Sequence, residues 1–437
     1  MPPASLPAGR PLSWFREAWQ FMKWDPHGFG AATVPLLMFV MPLQWTTQCW
    51  VLLWTVVAFI RGTALFTLPD TKSRRVLLLA VVFLGWMWSG MFRDVPDAWL
   101  PRMGALLNAA AIASFLAGIW RVANRPSRLN WMLRGAIGTG VLAALVSIPV
   151  YYGSWGKSVA VDRLENVIPY CGDGLYTVNS GLLWAFAAVA AAASFTQTEA
   201  VRERGLLLGA LAILSGAVFL TQTRGAILGI GAGVLVLIAT RPILRWSPAL
   251  TVIAVAGWAF QNLSSLLPKA IPSLVVGTPL GAGTPAGSLI ARSDSGRFAL
   301  YRELWSRIEG VVEVIFGRGF WARDNTVSGE LFWLAPHPHG AFISTGFHGG
   351  IVGLALLGLL LYAGARQCAW LAKSGLDSRW LALLAMGCVS LCFDGHTLAL
   401  MTTIPLFEPL LFWLPLMAGA SLAMKIRQDT PPAASVP

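Results

Sequence analysis

The sequence predicts an all-α polytopic membrane protein of about twelve transmembrane helices, with one long, partly helical polar loop before the last three. Three observations carry that expectation. Hydrophobic residues fill 56% of the 437 positions and charged residues only 12%, with a mean hydropathy of +0.64, too few charges to cover a soluble domain of this size. Apolar runs of about 20 residues recur, the length a helix needs to cross a bilayer core. The 21 tryptophans suit the interfacial belts where amphipathic rings settle.

Residues 1–28 form a polar lead, read as a cytoplasmic N-terminal segment. The first apolar run begins near Phe29, after this long lead, so it reads as a retained span and not as a cleaved signal. Nine runs then fall within residues 29–266, near 29–44, 46–62, 76–93, 103–121, 132–152, 175–196, 204–221, 225–240 and 248–266. Gly225, Gly229, Gly231 and Gly233 in the eighth run predict close helix packing. Residues 267–340 form the polar loop domain, and residues 341–424 hold the last three runs, near 341–365, 379–398 and 403–424. The tail, 425–437, reads as a disordered cytoplasmic end. No internal repeat is evident, and the five cysteines make no disulfide framework.

Charge sets the orientation. Arg61 to Arg75, Arg121 to Arg128, Arg202 and Arg204, Arg241 and Arg245, Arg366 to Arg379, and Lys425 and Arg427 lie in alternate connections. The connections between them, such as Met91–Met103 and Tyr151–Gly174, carry few cations. The positive-inside rule then puts both termini in the cytoplasm and the polar loop outside, on the periplasmic face of the inner membrane if the cell is Gram-negative. The net charge of +12 would suggest nucleic acid in a soluble protein. Here it divides between the cytoplasmic loops and the polar loop, and no nucleic-acid partner is expected.

The polar loop is the most informative stretch. It carries Arg292, Arg297, Arg302, Arg307, Arg318 and Arg323, and ends in Pro336-His337-Pro338-His339-Gly340 as hydrophobic sequence resumes. Ser293 and Ser295 are placed to cap a helix from Arg297, on which Arg297, Tyr301, Leu304 and Ile308 share a face, and Gly317-Arg318-Gly319-Phe320 is expected to break it. Pro336 and Pro338 predict an extended entry into the next span. Arginines and histidines gathered at a membrane face point to an anionic substrate.

Arg224, in Thr221-Gln222-Thr223-Arg224-Gly225-Ala226, sits between two apolar runs on the outer side. It is either a snorkelling side chain or a fixed guanidinium whose planar fork clamps phosphate oxygens. Arg297 is either a solvated loop charge or an anion ligand at a helix N-terminus, where backbone amides already favour negative charge. Arg292 and Arg318 are weaker candidates of the same kind, with a solvated role the commoner outcome. His339, at the mouth of a span, is placed to take a proton from an attacking hydroxyl. His337 is an auxiliary candidate, and His348 reads as packing or support. Asp394, at an outer helix end, orients a histidine, meets a sugar hydroxyl, or simply caps a helix or pairs with an arginine. Cys388, Cys392 and His396 at i, i+4 and i+8 tempt a metal reading, but three positions along one straight helix splay too far to close a tetrahedral site. No Walker loop, dinucleotide glycine motif or paired outer carboxylates occur, so no cofactor, nucleotide or metal ion is expected.

These motifs resemble the O-antigen ligase and polymerase superfamily of bacterial polytopic glycosyltransferases. The resemblance rests on Thr223-Arg224-Gly225-Ala226, on Ser295-Gly296-Arg297 through Trp305, on Gly317-Arg318-Gly319-Phe320, and on His339-Gly340 with Ile343 and Gly350-Ile351-Val352-Gly353-Leu354. It covers roughly residues 175–365 by motif, and the order and spacing of the motifs are more specific than any one of them. One position departs: Gly340 stands where asparagine is common, so no side-chain amide is available to orient the histidine or the substrate. The resemblance implies a GT-C-like architecture and an O-antigen ligase that performs an inverting, metal-independent transfer. The donor would be an undecaprenyl-diphosphate-linked glycan and the acceptor a sugar hydroxyl of lipid A–core, in lipopolysaccharide biosynthesis. By that likeness Arg224 and Arg297 hold the diphosphate, His339 is the general base, and Asp394 helps.

Three other readings remain. An O-antigen polymerase would use lipid-linked glycan as both donor and acceptor. A protein O-oligosaccharyltransferase would need a groove for an extended peptide. From another class, an anionic-lipid transporter predicts polar residues through the mid-membrane and pseudo-symmetric halves, whereas the spans hold few such residues.

Overall fold

The computed structural model describes residues 11–41, 46–63, 74–90, 99–159, 162–168, 176–261, 297–319, 327–329, 332–335, 338–400 and 407–429. Apart from one small ribbon, its regular structure is helical. The order is α1 (Pro11–Trp24), α2 (Pro26–Val40), α3 (Thr46–Ile60), α4 (Arg74–Ser89), α5 (Trp99–Ala123), α6 (Pro126–Ile148), α7 (Thr177–Phe195), α8 (Val201–Thr221), α9 (Arg224–Thr240) and α10 (Ile243–Gln261). In the polar loop follow α11 (Arg297–Ser306), α12 (Gly310–Phe316) and an antiparallel pair, β1 (Val327–Gly329) with β2 (Phe332–Ala335). The chain closes with α13 (Ala341–Lys373), α14 (Arg379–Phe393) and α15 (Leu414–Asp429). A π-helical turn, Pro149–Ser154, continues α6, and another, Pro409–Trp413, opens α15.

A helix stands at each of the twelve predicted runs. Six are long and apolar enough to cross a membrane: Met103–Ala123, Pro126–Ser154, Thr177–Phe195, Val201–Thr221, Ala341–Lys373 and Pro409–Asp429. The other six apolar stretches are at most 17 residues, about 25 Å at 1.5 Å per residue and short of a ~30 Å core. Length and composition therefore carry six crossings among the described residues, and the chain is a multi-pass membrane protein.

Several predicted boundaries move. The lead contains α1, which the sequence reading passed over as polar. The eleventh run stops at Phe393, short of the expected 398, and the described part of the last begins at Phe407, so residues 394–400 lie outside α14. His396 is thus off the α14 face that Cys388 and Cys392 share. The tail was expected to be disordered from 425, but α15 continues to Asp429, where Lys425 reaches the carboxylate at 2.8 Å one turn on. The helix from Arg297 ends at Ser306, earlier than expected, and Gly317 terminates the separate α12 instead. Of the expected face, Leu304 and Tyr301 do pack together on α11, Leu304 buried with Leu300 against Phe347, while Ile308 joins the cluster from beyond the end of the helix and the Arg297 side chain lies outside the described residues.

The bundle has two ends, fixed by hydrogen bonds between distant elements. At one, Arg379 at the start of α14 donates to Asn130 near the start of α6 at 2.6 Å. At the other, Ser147 near the end of α6 donates to Asn166 at 3.2 Å, and the Asn166 amide reaches Ser180 near the start of α7 at 2.9 Å. Between the ends the core is apolar, with Trp184, Trp380 and Trp413 fully buried.

Candidate functional site

The site end is built from the turn joining α8 to α9. Gln222 ends α8 in the left-handed region (φ 52°), extended Thr223 caps α9, and Arg224 is its first residue. A reversal this short needs one residue at positive φ, an arrangement that costs a non-glycine residue about 1–2 kcal/mol. Hydrogen bonds hold it. The Thr221 hydroxyl donates to Thr223 Oγ1 at 3.0 Å, and Thr223 Oγ1 donates to the Thr177 carbonyl at the start of α7 at 3.2 Å. Arg163 then spans the turn, donating from Nε to the Thr221 carbonyl at 2.8 Å and from its guanidinium to Thr223 Oγ1 at 3.2 Å. Arg224 itself is partly buried. Its position at the N-terminus of α9 adds unsatisfied backbone amides and the positive helix end to its own charge.

Asp394, buried at the end of α14, meets this turn. A Cβ on Gly225 would lie 2.5 Å from Asp394 Oδ2, so only glycine lets the carboxylate approach the end of α9. Ser390, one turn earlier on α14, donates to the Gly225 carbonyl at 3.0 Å. The same segment touches the histidine entry. A Cβ on Gly340 would lie 3.2 Å from the Cys392 carbonyl and 3.2 Å from the Tyr301 hydroxyl, and one on Gly395 would lie 3.2 Å from Ala341 Cβ. Residues 390–396 thus bridge the N-termini of α9 and α13, bringing Arg224, Asp394 and His339 to one end of the bundle.

His339 departs from the extended conformation expected of it. It lies in the left-handed region (φ 52°), directly before the α13 cap Gly340. With Gln222 it is one of two non-glycine residues at positive φ among the described residues, and both sit in this site. Strain of this kind gathers where surrounding structure over-determines a geometry that function uses. The Tyr301 hydroxyl donates to the His339 carbonyl at 3.3 Å, so α11 holds the residue from the polar-loop side. A Cβ at position 340 would crowd that hydroxyl, so glycine in place of asparagine goes with a tyrosine as the local polar partner.

The other candidates separate. Arg297 is the first residue of α11, one turn before Tyr301, and its backbone alone is described. Arg318 pairs with Glu313 at 3.5 Å, and its amide donates to the Phe347 carbonyl at 3.0 Å, a structural role. Arg292 and His337 lie outside the described residues. His348 is buried, with Nδ1 2.8 Å from the Gly319 carbonyl, and since a carbonyl only accepts, Nδ1 carries the proton. The kink that makes this contact is at Gly350 (φ 65°), where a side chain would strike the Ile315 carbonyl. The glycine motifs of the polar loop and of α13 therefore dock on each other.

Two groups escaped the sequence reading. Arg163 sits in a connection read as poor in cations, where it and Lys157 are the two present, and nothing in the sequence sets it apart. Glu408 is buried 12 positions beyond His396, whose backbone N–H donates to its Oε1 at 2.5 Å. Burial outweighs that bond and those from neighbouring amides, and pushes the Glu408 carboxyl up to about 7. A lone acid beside an apolar run was its only trace. His396 is pushed down to about 4 by desolvation and then, to a smaller degree, by His348 and His339. Among the described residues no group of three or more metal-ligating side chains occurs.

The fold and this end together define a multi-pass membrane protein with arginines, helix N-termini and a histidine gathered at one face. Residues 209–358 match the family model described as O-antigen ligase, from within α8 to within α13, a stretch that includes Arg224, Arg297 and His339. Over that stretch, about a third of its length, the chain is similar to the O-antigen ligase and polymerase superfamily, whose members are glycosyltransferase-like ligases and polymerases. Among curated proteins, none matches the chain.

Proposed function

We propose that the protein is an O-antigen ligase, which transfers a glycan from undecaprenyl diphosphate to a sugar hydroxyl of lipid A–core at the periplasmic face of the bacterial inner membrane. The observation that carries this reading is the 390–396 segment, which touches the α9 N-terminus through Gly225 and the His339 entry through Gly340. A cationic subsite and a basic imidazole then share one site. Arg224 and Arg297 hold the donor diphosphate, and the N-termini of α9 and α13 add positive potential where charge develops. His339 takes the proton from the acceptor hydroxyl. The acceptor oxygen bonds to the anomeric carbon as that carbon's bond to the diphosphate oxygen breaks, and the electron pair leaves on undecaprenyl diphosphate. Attack from the face opposite the leaving group inverts the anomeric centre. Asp394, buried between the two motifs, positions the cationic end. No step is routed through a metal ion or cofactor. On the twelve crossings and cytoplasmic termini that the sequence predicts, the site lies outside, in keeping with the cation-rich turns at the far end of the bundle.

The test is transfer by the purified chain in liposomes containing a polyprenyl-diphosphate glycan, with and without lipid A–core, in the presence of a chelator. Glycan appearing on lipid A–core is the expected result. Elongation of the lipid-linked glycan without that acceptor would make the protein a polymerase, and the absence of both products from active lipids would overturn the reading.

A further inference from the structure

At the end of the bundle opposite the candidate site, α1 presents three faces. With about 100° between successive residues, Trp14, Ala18 and Phe21 share one side. That side faces the protein: Trp14 stacks on Trp131 with centroids 4.8 Å apart, Phe21 meets the same ring edge-on at 5.8 Å, and the Arg128 guanidinium lies 4.4 Å over Phe21. Phe15 and Trp19, one turn apart on the next face, are 69% and 64% exposed. Arg16, Lys23, Glu17 and Gln20 occupy the third face, all exposed.

The position of α1 indicates what meets the aromatic face. The helix ends at Trp24, two residues before α2 starts, so it lies at the level where the apolar helices begin. Beside it the exposed Arg125 of the α5–α6 turn adds a cation, while the carboxylate at this corner, Asp25, is already engaged by Arg121 at 3.0 Å and by Arg128. An aromatic stripe flanked by Arg16, Lys23 and Arg125 against the single exposed carboxylate of Glu17 suits a leaflet with anionic headgroups, where rings enter the acyl boundary and cations stay among the phosphates. A second copy of this helix would bring like charges together.

We propose that α1 is an interfacial anchor that docks on anionic lipid, with Phe15 and Trp19 in the acyl boundary and Arg16 and Lys23 on headgroup phosphates. The full chain, reconstituted at one copy per nanodisc, is footprinted with hydroxyl radicals and read by mass spectrometry. Discs of phosphatidylglycerol are compared with discs of phosphatidylcholine. Trp305 on α11, 44% exposed, is the water-facing reference. Phe15 and Trp19 are expected to be oxidised several-fold more slowly than Trp305 in phosphatidylglycerol, with less protection in phosphatidylcholine. The double reversal Arg16→Glu with Lys23→Glu is expected to remove the difference between the lipids while the Trp305 rate stays unchanged. Oxidation of Trp19 as fast as Trp305 in phosphatidylglycerol would overturn the proposal, as would equal protection in both lipids. Protection only in discs holding two copies would assign the face to self-association instead.

Discussion

Two buried carboxylates, one at each end of the bundle, are shifted in opposite directions. At Asp377 burial pushes the proton affinity up, but the Arg379 charge and hydrogen bonds from Arg379 and Gln197 overcome it and hold the pKa below the ordinary value. At Glu408 burial wins, because its partners are backbone amides that lower the pKa by less than desolvation raises it. The same contrast runs through the surroundings. The Asp377 end is cross-linked: Arg379 also reaches Asn130, and Arg241 binds Ser378 at 3.0 Å. The Glu408 end holds two residues at positive φ and the imidazoles of His339, His348 and His396. One end uses its charges to tie helices together, and the other is the end that the proposed function assigns to holding an anion and moving a proton.

The largest expected effect tests the tied end. Arg379→Ala leaves Asp377 buried without its cation and should cost about 3–5 kcal/mol, seen as a large fall in melting temperature in detergent. Glycan transfer per folded molecule should hold, since the change lies at the far end from His339. A stable variant that has lost activity would dissolve the division between the ends.

His339→Ala should have the reverse signature. Removing a general base lowers turnover by about a hundredfold or more, while melting should change little, because alanine keeps the Cβ that makes the left-handed backbone costly and so leaves the strain at position 339 as it was. Wild-type turnover at normal expression would remove His339 from the mechanism.

Glu408 separates the ends by pH. Its folded pKa of about 7 lies above the ordinary 4.5, so the fold favours the neutral acid. The stability this contributes is fully present below pH 4.5 and is lost as pH rises through 7, by about 3 kcal/mol in all. Asp377 runs the other way: its contribution is present above the unfolded pKa and is lost as pH falls through the lowered folded value. Glu408→Gln keeps an oxygen for the His396 amide and has no charge to bury. It should melt higher than the wild type at pH 8 and match it near pH 4.5. Parallel melting curves for the two proteins across that range would show that Glu408 is not held neutral.

A smaller effect is expected at Arg224. Lysine keeps the charge but lacks the planar fork, so Arg224→Lys should retain activity with a defect of about tenfold, mainly in the donor KM. An unchanged KM would return Arg224 to the snorkelling role that the sequence also allowed.

How much of this was legible in the sequence follows from the range of the interactions. The helices could be read because hydropathy is local: every apolar run has its helix. Arg224 and His339 could be read because each sits in a short motif at the edge of such a run. Glu408 could not, because its burial and its bond to His396 depend on how a connection folds back between α14 and α15. Arg163 was lost to averaging, since a connection with few cations on balance holds one that spans the Thr221–Thr223 turn. The backbone of His339 was misread because proline restricts the residue before it, here His337, and leaves the one after it free, and contacts with α14 and Tyr301 go with the left-handed region at His339. α1 escaped because its three faces average to a polar composition, and a helix with one face on protein and another on lipid does not show as an apolar run.

The smallest effect probes how the strained histidine is held. The Tyr301 hydroxyl donates to the His339 carbonyl at 3.3 Å. Tyr301→Phe keeps the ring among Leu300, Leu304 and Phe347 and removes that bond, worth about 1 kcal/mol. If the bond only stabilises the fold, melting falls slightly and turnover is unchanged. If it holds the His339 backbone in its left-handed form, kcat falls by about fivefold while the donor KM stays constant, because Arg224 still binds the diphosphate. The second outcome is expected. A rise in KM alongside the fall in kcat would instead place Tyr301 on the substrate, and with it the polar-loop helix α11 as a wall of the site.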